Sequence, residues 1–225
     1  MLWCYRCPPC AHRIVRIAAI VVGLLVASSA IAAGPLTIDR ERSSVVAVTK
    51  KSGLLGFLGH RHAILATVWS VSIAYDATDA SRSSVDLRVP VRQLEIDSPR
   101  ALEIAALSSS PEAKTVREVQ AKMLGPKVLD AARYPEIAFH STAVEPRSAS
   151  QAVVHGELAL HGRSSKVAIP VRVTRPAADR MRFSGEFTVK QTDYGIEPES
   201  IVGVVKVADE VLIRFDVLAV MAGEH

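Results

Sequence analysis

Cysteine and aromatic residues are scarce in this chain, and there is no large excess of charge of one sign. Only three cysteines occur among 225 residues, and all fall in the first ten positions, at Cys4, Cys7 and Cys10. Their C-x2-C-x2-C spacing imitates a metal motif, but a closed zinc site needs four ligands and no fourth accompanies them. Phe, Tyr and Trp together make up 5% of the chain, so any core has to be built from Val, Ile, Leu and Ala. Also missing are a Gly-rich phosphate loop, a G-x-S-x-G elbow, an H-E-x-x-H helix and a cysteine nucleophile, which excludes the commonest nucleotide, esterase and peptidase chemistries. Nothing in the sequence calls for a cofactor, and the expectation is binding without catalysis.

The N-terminus reads as a targeting segment. Arg6, Arg13 and Arg16 precede the apolar run Ile17–Val26, broken only by Gly23, and Ala30-Ile31-Ala32 offers a small-residue cleavage pattern. The run is shorter than the roughly 20 residues that a spanning helix needs. Residues 1–32 are therefore expected to be a cleaved signal peptide and 33–225 the mature domain, periplasmic or otherwise secreted, with no stable membrane anchor after cleavage. All three cysteines leave with the signal, and none follows the apolar run to carry a lipid.

Charge then nearly balances. Three of the 27 basic residues lie in the leader, so 24 face 23 acidic ones in the mature chain. That balance excludes nucleic acid as a partner, because phosphate-backbone binding draws on a large basic excess.

Period-two alternation dominates what remains and predicts strands with one buried face. Val85, Leu87, Val89 and Val91 share one side, as do Val167, Ile169, Val171 and Val173, and again Val211, Ile213, Phe215 and Val217. The expected strands are Leu36–Arg40, Val45–Lys51, Ala63–Tyr75, Ser84–Glu95, Glu136–Val144, Ala152–His161, Val167–Thr174, Met181–Gln191, Gly203–Ala208 and Glu210–Val220. Turns are read at His161–Ser164, Asp179-Arg180 and Ala208-Asp209. One helix interrupts them, with Ser110 as N-cap, Pro111 at its first position, Val116, Val119 and Met123 on one face, and Gly125-Pro126 as its stop. Pro99–Ser109 reads as a shorter helix or a loop leading into it. Antiparallel strands joined by short turns make an all-β barrel or sandwich.

Four fragments in order resemble the YceI-like family of secreted lipid-binding barrels. They are Leu36-Thr37-Ile38-Asp39 with Ser43-Ser44-Val45, the stretch Leu129–Thr142 containing Arg133-Tyr134-Pro135, Gly156–Gly162, and Gln191–Ile196 with Val207–Val211. The opening lacks the aromatic usual before Ile-Asp and the usual His-Ser pair. The resemblance spans Leu36 to about Ala219. It implies an extended, eight-stranded, lipocalin-like antiparallel β-barrel with a short helical insert, holding an amphiphilic lipid or isoprenoid, of polyisoprenoid or quinone type. The ligand-binding side chains expected along the inner wall are Phe57, Trp69, Phe139, Leu158, Phe183 and Phe187, with His60 and His62. Trp69, in a long apolar strand, reads as core before ligand shelf. A side-chain-filled barrel serving stress response or protein interaction stays open beside the carrier.

The segment Gly53–His62 departs from the family pattern by its H-x-H pair. Residues two apart on a strand face the same way, and three roles remain for His60 and His62. They bind a metal with His140, His155 or His161, they hydrogen-bond a polar head group, or they bond backbone at a bend. The first makes a metal-dependent protein or enzyme, although no acid follows at recognisable spacing. His155 and Glu157 with His161 read as a solvated outer face. Barrel closure removes edges but leaves faces free, so a homodimer also remains open.

Overall fold

A computed structural model of the chain describes residues 36–52, 61–108, 111–198, 200–201 and 205–221. Its strands are β1 (Leu36–Ser52), β2 (Ala63–Ala66), β3 (Ser70–Ala74), β4 (Ser84–Pro90), β5 (Leu94–Ile96), β6 (Glu136–Ser148), β7 (Gln151–Leu160), β8 (Arg163–Ala177), β9 (Arg180–Lys190), β10 (Ser200–Ile201) and β11 (Val205–Met221). Two helices, α1 (Pro99–Ala105) and α2 (Ala113–Leu124), lie between β5 and β6. Neighbours pair antiparallel in the order β3-β4-β6-β7-β8-β9-β11-β1-β2-β5, with β10 on β11.

Eleven segments replace the expected eight strands, yet with the short β10 set aside they trace eight lines. β2 and β3 are one strand broken at Thr67–Trp69, and β4 and β5 are one strand broken at Val91–Gln93. The two breaks are tied together, since the Thr67 backbone N–H and hydroxyl both donate to the Gln93 carbonyl, at 3.0 and 2.8 Å. The path therefore returns on itself through the chain, and the sheet curls into a barrel.

Two expected boundaries are bulges inside continuous strands. β1 runs through Arg40–Ser43, where its register against β11 shifts between Asp39 and Ser44. Ser43, only 4% exposed, stitches the gap. Its hydroxyl donates to the Asp39 carbonyl at 2.5 Å and accepts from the Leu218 N–H at 2.9 Å. The expected turn at Ala208-Asp209 is likewise a bulge in β11, held by Thr192, whose backbone N–H and hydroxyl donate to the Asp209 carboxylate at 2.9 and 2.7 Å. Polar residues that read as strand ends pair with the ladder through side chains instead.

The wall parts in two places. β8 pairs β9 only from Arg172 onward. Pro170 stands just before that point with its carbonyl toward Gly185, and a proline offers no N–H for the next ladder bond. The gap is plugged by Tyr194 and Ile196, 1% and 2% exposed, and burial pushes the Tyr194 phenol up. β1 pairs β2 but, among the described residues, not β3. There Arg40 reaches over the Trp69 ring, 5.7 Å from its centroid, and donates to the Trp69 carbonyl.

Both faces of β1 are covered, which explains its unalternating Val45–Val48 run. Val46 and Val48 point outward and are buried by Ala101, Leu102 and Ala105 of α1. That helix starts at the Ser98 cap with Pro99 behind it and ends at Ala106 in the left-handed region. Of the segment Pro99–Ser109, Pro99–Ala105 forms a helix, and Ser109 lies outside the described residues. α2 begins after Glu112, and Ser110 lies outside the described residues. Its apolar side, Val116, Val119 and Met123, packs on the core beside β5 as its spacing predicts.

Candidate functional site

Inward residues of the alternating strands do not meet in the middle. They enclose an apolar cavity of about 460 Å³, inside the 300–1,000 Å³ typical of small-molecule sites. From Phe183 to Gln191 the β9 wall runs roughly 27 Å along the strand at the usual rise, so the space is long rather than round. The interior is not filled by side chains, which counts against the filled-barrel reading.

Two glycine–phenylalanine pairs keep it open. Gly156 on β7 and Gly185 on β9 face inward, and a phenylalanine ring occupies the space beside each. A Cβ at Gly156 would sit 2.5 Å from the Phe139 ring, and one at Gly185 would sit 2.7 Å from the Phe215 ring. Both rings line the cavity. Phe183 and Phe187 join them, so four of the chain's five phenylalanines line this space. The fifth, Phe57, lies outside the described residues.

Polar lining groups collect at the ends. Thr49, His62, Lys122 and Gln191 occupy one end, while Tyr75 and Ser83 occupy the other. Thr49 pairs with Val211 and Val211 with Val189, two residues before Gln191, which puts these residues on one rim. Among the described residues no Asp, Glu or Arg lines the cavity, and Lys122 is the one ammonium that does.

His62 is held from behind. Its Nδ1 lies 2.6 Å from Oδ2 of Asp97, whose other oxygen accepts from the Ala63 N–H at 2.9 Å. The Asp97 side chain is 1% exposed and its backbone is left-handed, φ +52°, a conformation Asp adopts more readily than most residues. A carboxylate accepts, so Nδ1–H donates and Nε2 is the nitrogen left to a ligand. The His62 N–H also donates to Thr49 Oγ1 at 2.9 Å, which fixes the residue at the start of β2.

Every expected ligand-binding residue that is described lines the cavity: His62, Trp69, Phe139, Leu158, Phe183 and Phe187. Trp69 is core as well, at 5% exposure. His60 lies outside the described residues, so the paired H-x-H geometry does too. The named third ligands are elsewhere. His140 bonds Asp86 on the outer surface, His155 lies beside Glu145, and His161 stacks edge-on to Tyr134 with its Nδ1 donating to the Tyr194 carbonyl. Among the described residues no three His, Cys, Asp or Glu stand together as a metal site. His155 and Glu157 share the outer face, but His161 sits in the following turn at φ +52° rather than on the strand. The acid absent from the sequence reading is Asp97, 35 residues from His62. Lys122 and the two inward glycines were missed as well. A glycine in phase with Val154 and Leu158 was the available signal.

Comparison with known proteins agrees with this geometry. The family model described as the YceI-like domain matches residues 36–219. A UPF0312 protein of Shewanella sp. (strain MR-7) is 26% identical over 187 residues, spanning 80% of this chain and 86% of its own. Among solved structures, BcnA of Burkholderia cenocepacia superposes with a TM-score of 0.62 at 22% identity, over 81% of this chain and 99% of that one. A polyisoprenoid binding domain from Saccharophagus degradans superposes with a TM-score of 0.57 at 14% identity, over 83% and 98%. At these identities the two structures speak for the fold.

Proposed function

The chain belongs to the YceI-like domain family, and from that premise we propose that it is a secreted, periplasmic binding protein that holds one hydrophobic amphiphile inside its barrel. The ligand is of the polyisoprenoid or isoprenoid-quinone type and is carried without being transformed. The observation that carries this reading is the long apolar cavity with polar groups only toward its ends, an amphiphile-shaped space. The printed description of the Saccharophagus degradans domain as polyisoprenoid binding supports the ligand class. Burying a chain of CH2 groups contributes about 0.8 kcal/mol each, so a slim apolar tail supplies affinity without many specific contacts. Phe139, Phe183, Phe187, Leu158 and Trp69 contact the tail, and His62 contacts the head.

Native mass spectrometry of the protein purified from its own secretory compartment, with lipid extraction of the same sample, tests the proposal. A bound species of prenyl-lipid mass is expected. A ligand-free mass, together with no uptake of added isoprenoid quinone, would overturn it. The apparent start of the mature chain near residue 33 is read from the same spectrum.

A further inference from the structure

The rim that holds His62 differs from the rest of the lining in charge as well as polarity. Its imidazole presents Nε2 while Asp97 holds Nδ1. Lys122, in the last turn of α2, is exposed and yet lines the cavity, so it marks the opening. Among the described residues its ammonium has no ion-pair partner within 4 Å. Gln191 spends its amide N–H on the Ala208 carbonyl, leaving its own oxygen on the rim. The buried Asp97 carboxylate sits behind the imidazole and is not itself part of the lining. α2 is joined to this rim through β5, because Gln120 bonds the Leu94 carbonyl and the Ile96 N–H, and Asp97 follows directly.

We propose that this rim selects an amphiphile with an anionic head, a carboxylate or a phosphate, over a neutral one of the same tail. Lys122 supplies the charge, and the imidazolium form of His62, its Nδ1–H on Asp97, donates from Nε2–H to a head-group oxygen. Among the described residues the polar groups lining the opposite end are Tyr75 and Ser83, both uncharged, so the head enters at one end and the tail points to the other. This rests on the amphiphile-binding reading above and narrows it.

The test is displacement of a fluorescent apolar probe from the purified protein by three ligands of equal tail: hexadecanoate, hexadecyl phosphate and hexadecanol. Both anions are expected to displace the probe at concentrations about tenfold lower than the alcohol, the size of one charge-assisted hydrogen bond. Lys122→Gln, a surface change that spares the core, is expected to shrink that ratio several-fold by weakening both anions more than hexadecanol. His62→Gln is expected to shrink it further. A preference confined to one of the two anions supports the inference and names the head. Equal displacement by all three overturns it while leaving the carrier intact. Binding of none of them sinks the carrier reading and this inference with it. A ratio that survives Lys122→Gln and His62→Gln together removes these residues from the role.

Discussion

The side-chain amide of Gln120 stands where a strand would otherwise pair with Ile96. Its Oε1 accepts from the Ile96 N–H at 2.9 Å and its Nε2 donates to the Leu94 carbonyl at 2.7 Å. A carboxamide has the same donor and acceptor as a peptide unit, so one helical residue satisfies the open edge of β5. Gln120→Leu leaves both backbone groups unpaired and is expected to cost about 1–3 kcal/mol. Urea unfolding reads the loss, and amide exchange at Ile96 should speed up more than at Val89. Unchanged exchange at Ile96 would show that α2 does not guard this edge.

Asp97 carries a second such duty, because it serves the Ala63 N–H and the His62 ring from a left-handed backbone. Asp97→Ala removes both acceptors and leaves an alanine at φ +52°, for a loss of about 2–4 kcal/mol. Asp97→Asn keeps one acceptor and tolerates that backbone, so it should recover at least half. Denaturant midpoints of the two variants decide the matter, and equal losses would mean that the carboxylate charge, not the hydrogen bond to Ala63, dominates.

At Gly156 a new methyl would meet both the Phe139 ring and the His140 carbonyl, the latter at 2.4 Å. Gly156→Ala is expected to destabilise by about 1–3 kcal/mol through overpacking and to push the ring into the cavity. Adding Phe139→Leu should relieve only part of the loss, because the carbonyl contact remains. A double-mutant cycle measures that coupling, and full rescue would place all of the strain in the ring.

Acid tests a distant loop. Asp76 accepts from the Thr78 hydroxyl, then from the Asp79 and Thr78 N–H groups, and these bonds hold its carboxyl down at about 2, below 3.8. A depressed folded value means that its contribution to stability is complete above pH 3.8 and lost as the pH falls through about 2. A carboxyl NMR titration should give that low midpoint. Thr78→Val, which deletes the largest cause, should raise it toward 3.8.

What was legible in the sequence is what repeats along it. Val85–Val89, Ile169–Val173 and Val211–Val217 alternate because one side faces the cavity, and α2 shows its face at helical spacing. The features that escaped are bonds between residues distant in the chain. Ser43 bridging to Leu218 and Gln120 to Ile96 replace a ladder bond by a side chain, while the Thr67 hydroxyl to Gln93 and His62 to Asp97 add side-chain bonds. A polar residue in such a role looks like a strand end when read locally, so the strands were drawn too short at Arg40 and Ala208. Val46 and Val48 break the alternation, since their outer face is covered by a helix more than fifty residues further along.

β1 is the first strand of the barrel and β11 the last, and they lie side by side from Leu36 opposite Met221 to Ser52 opposite Lys206. A chain emerging from its N-terminus therefore cannot complete the ring until nearly its last residue is available. Until then β1 and the newest strand are both open templates for pairing with another molecule. Such a topology folds slowly, in the range of milliseconds to seconds for non-local β-proteins, and all at once rather than strand by strand. A C-terminal truncation that removes β11 would cost far more than one strand, because it reopens the circle on both sides.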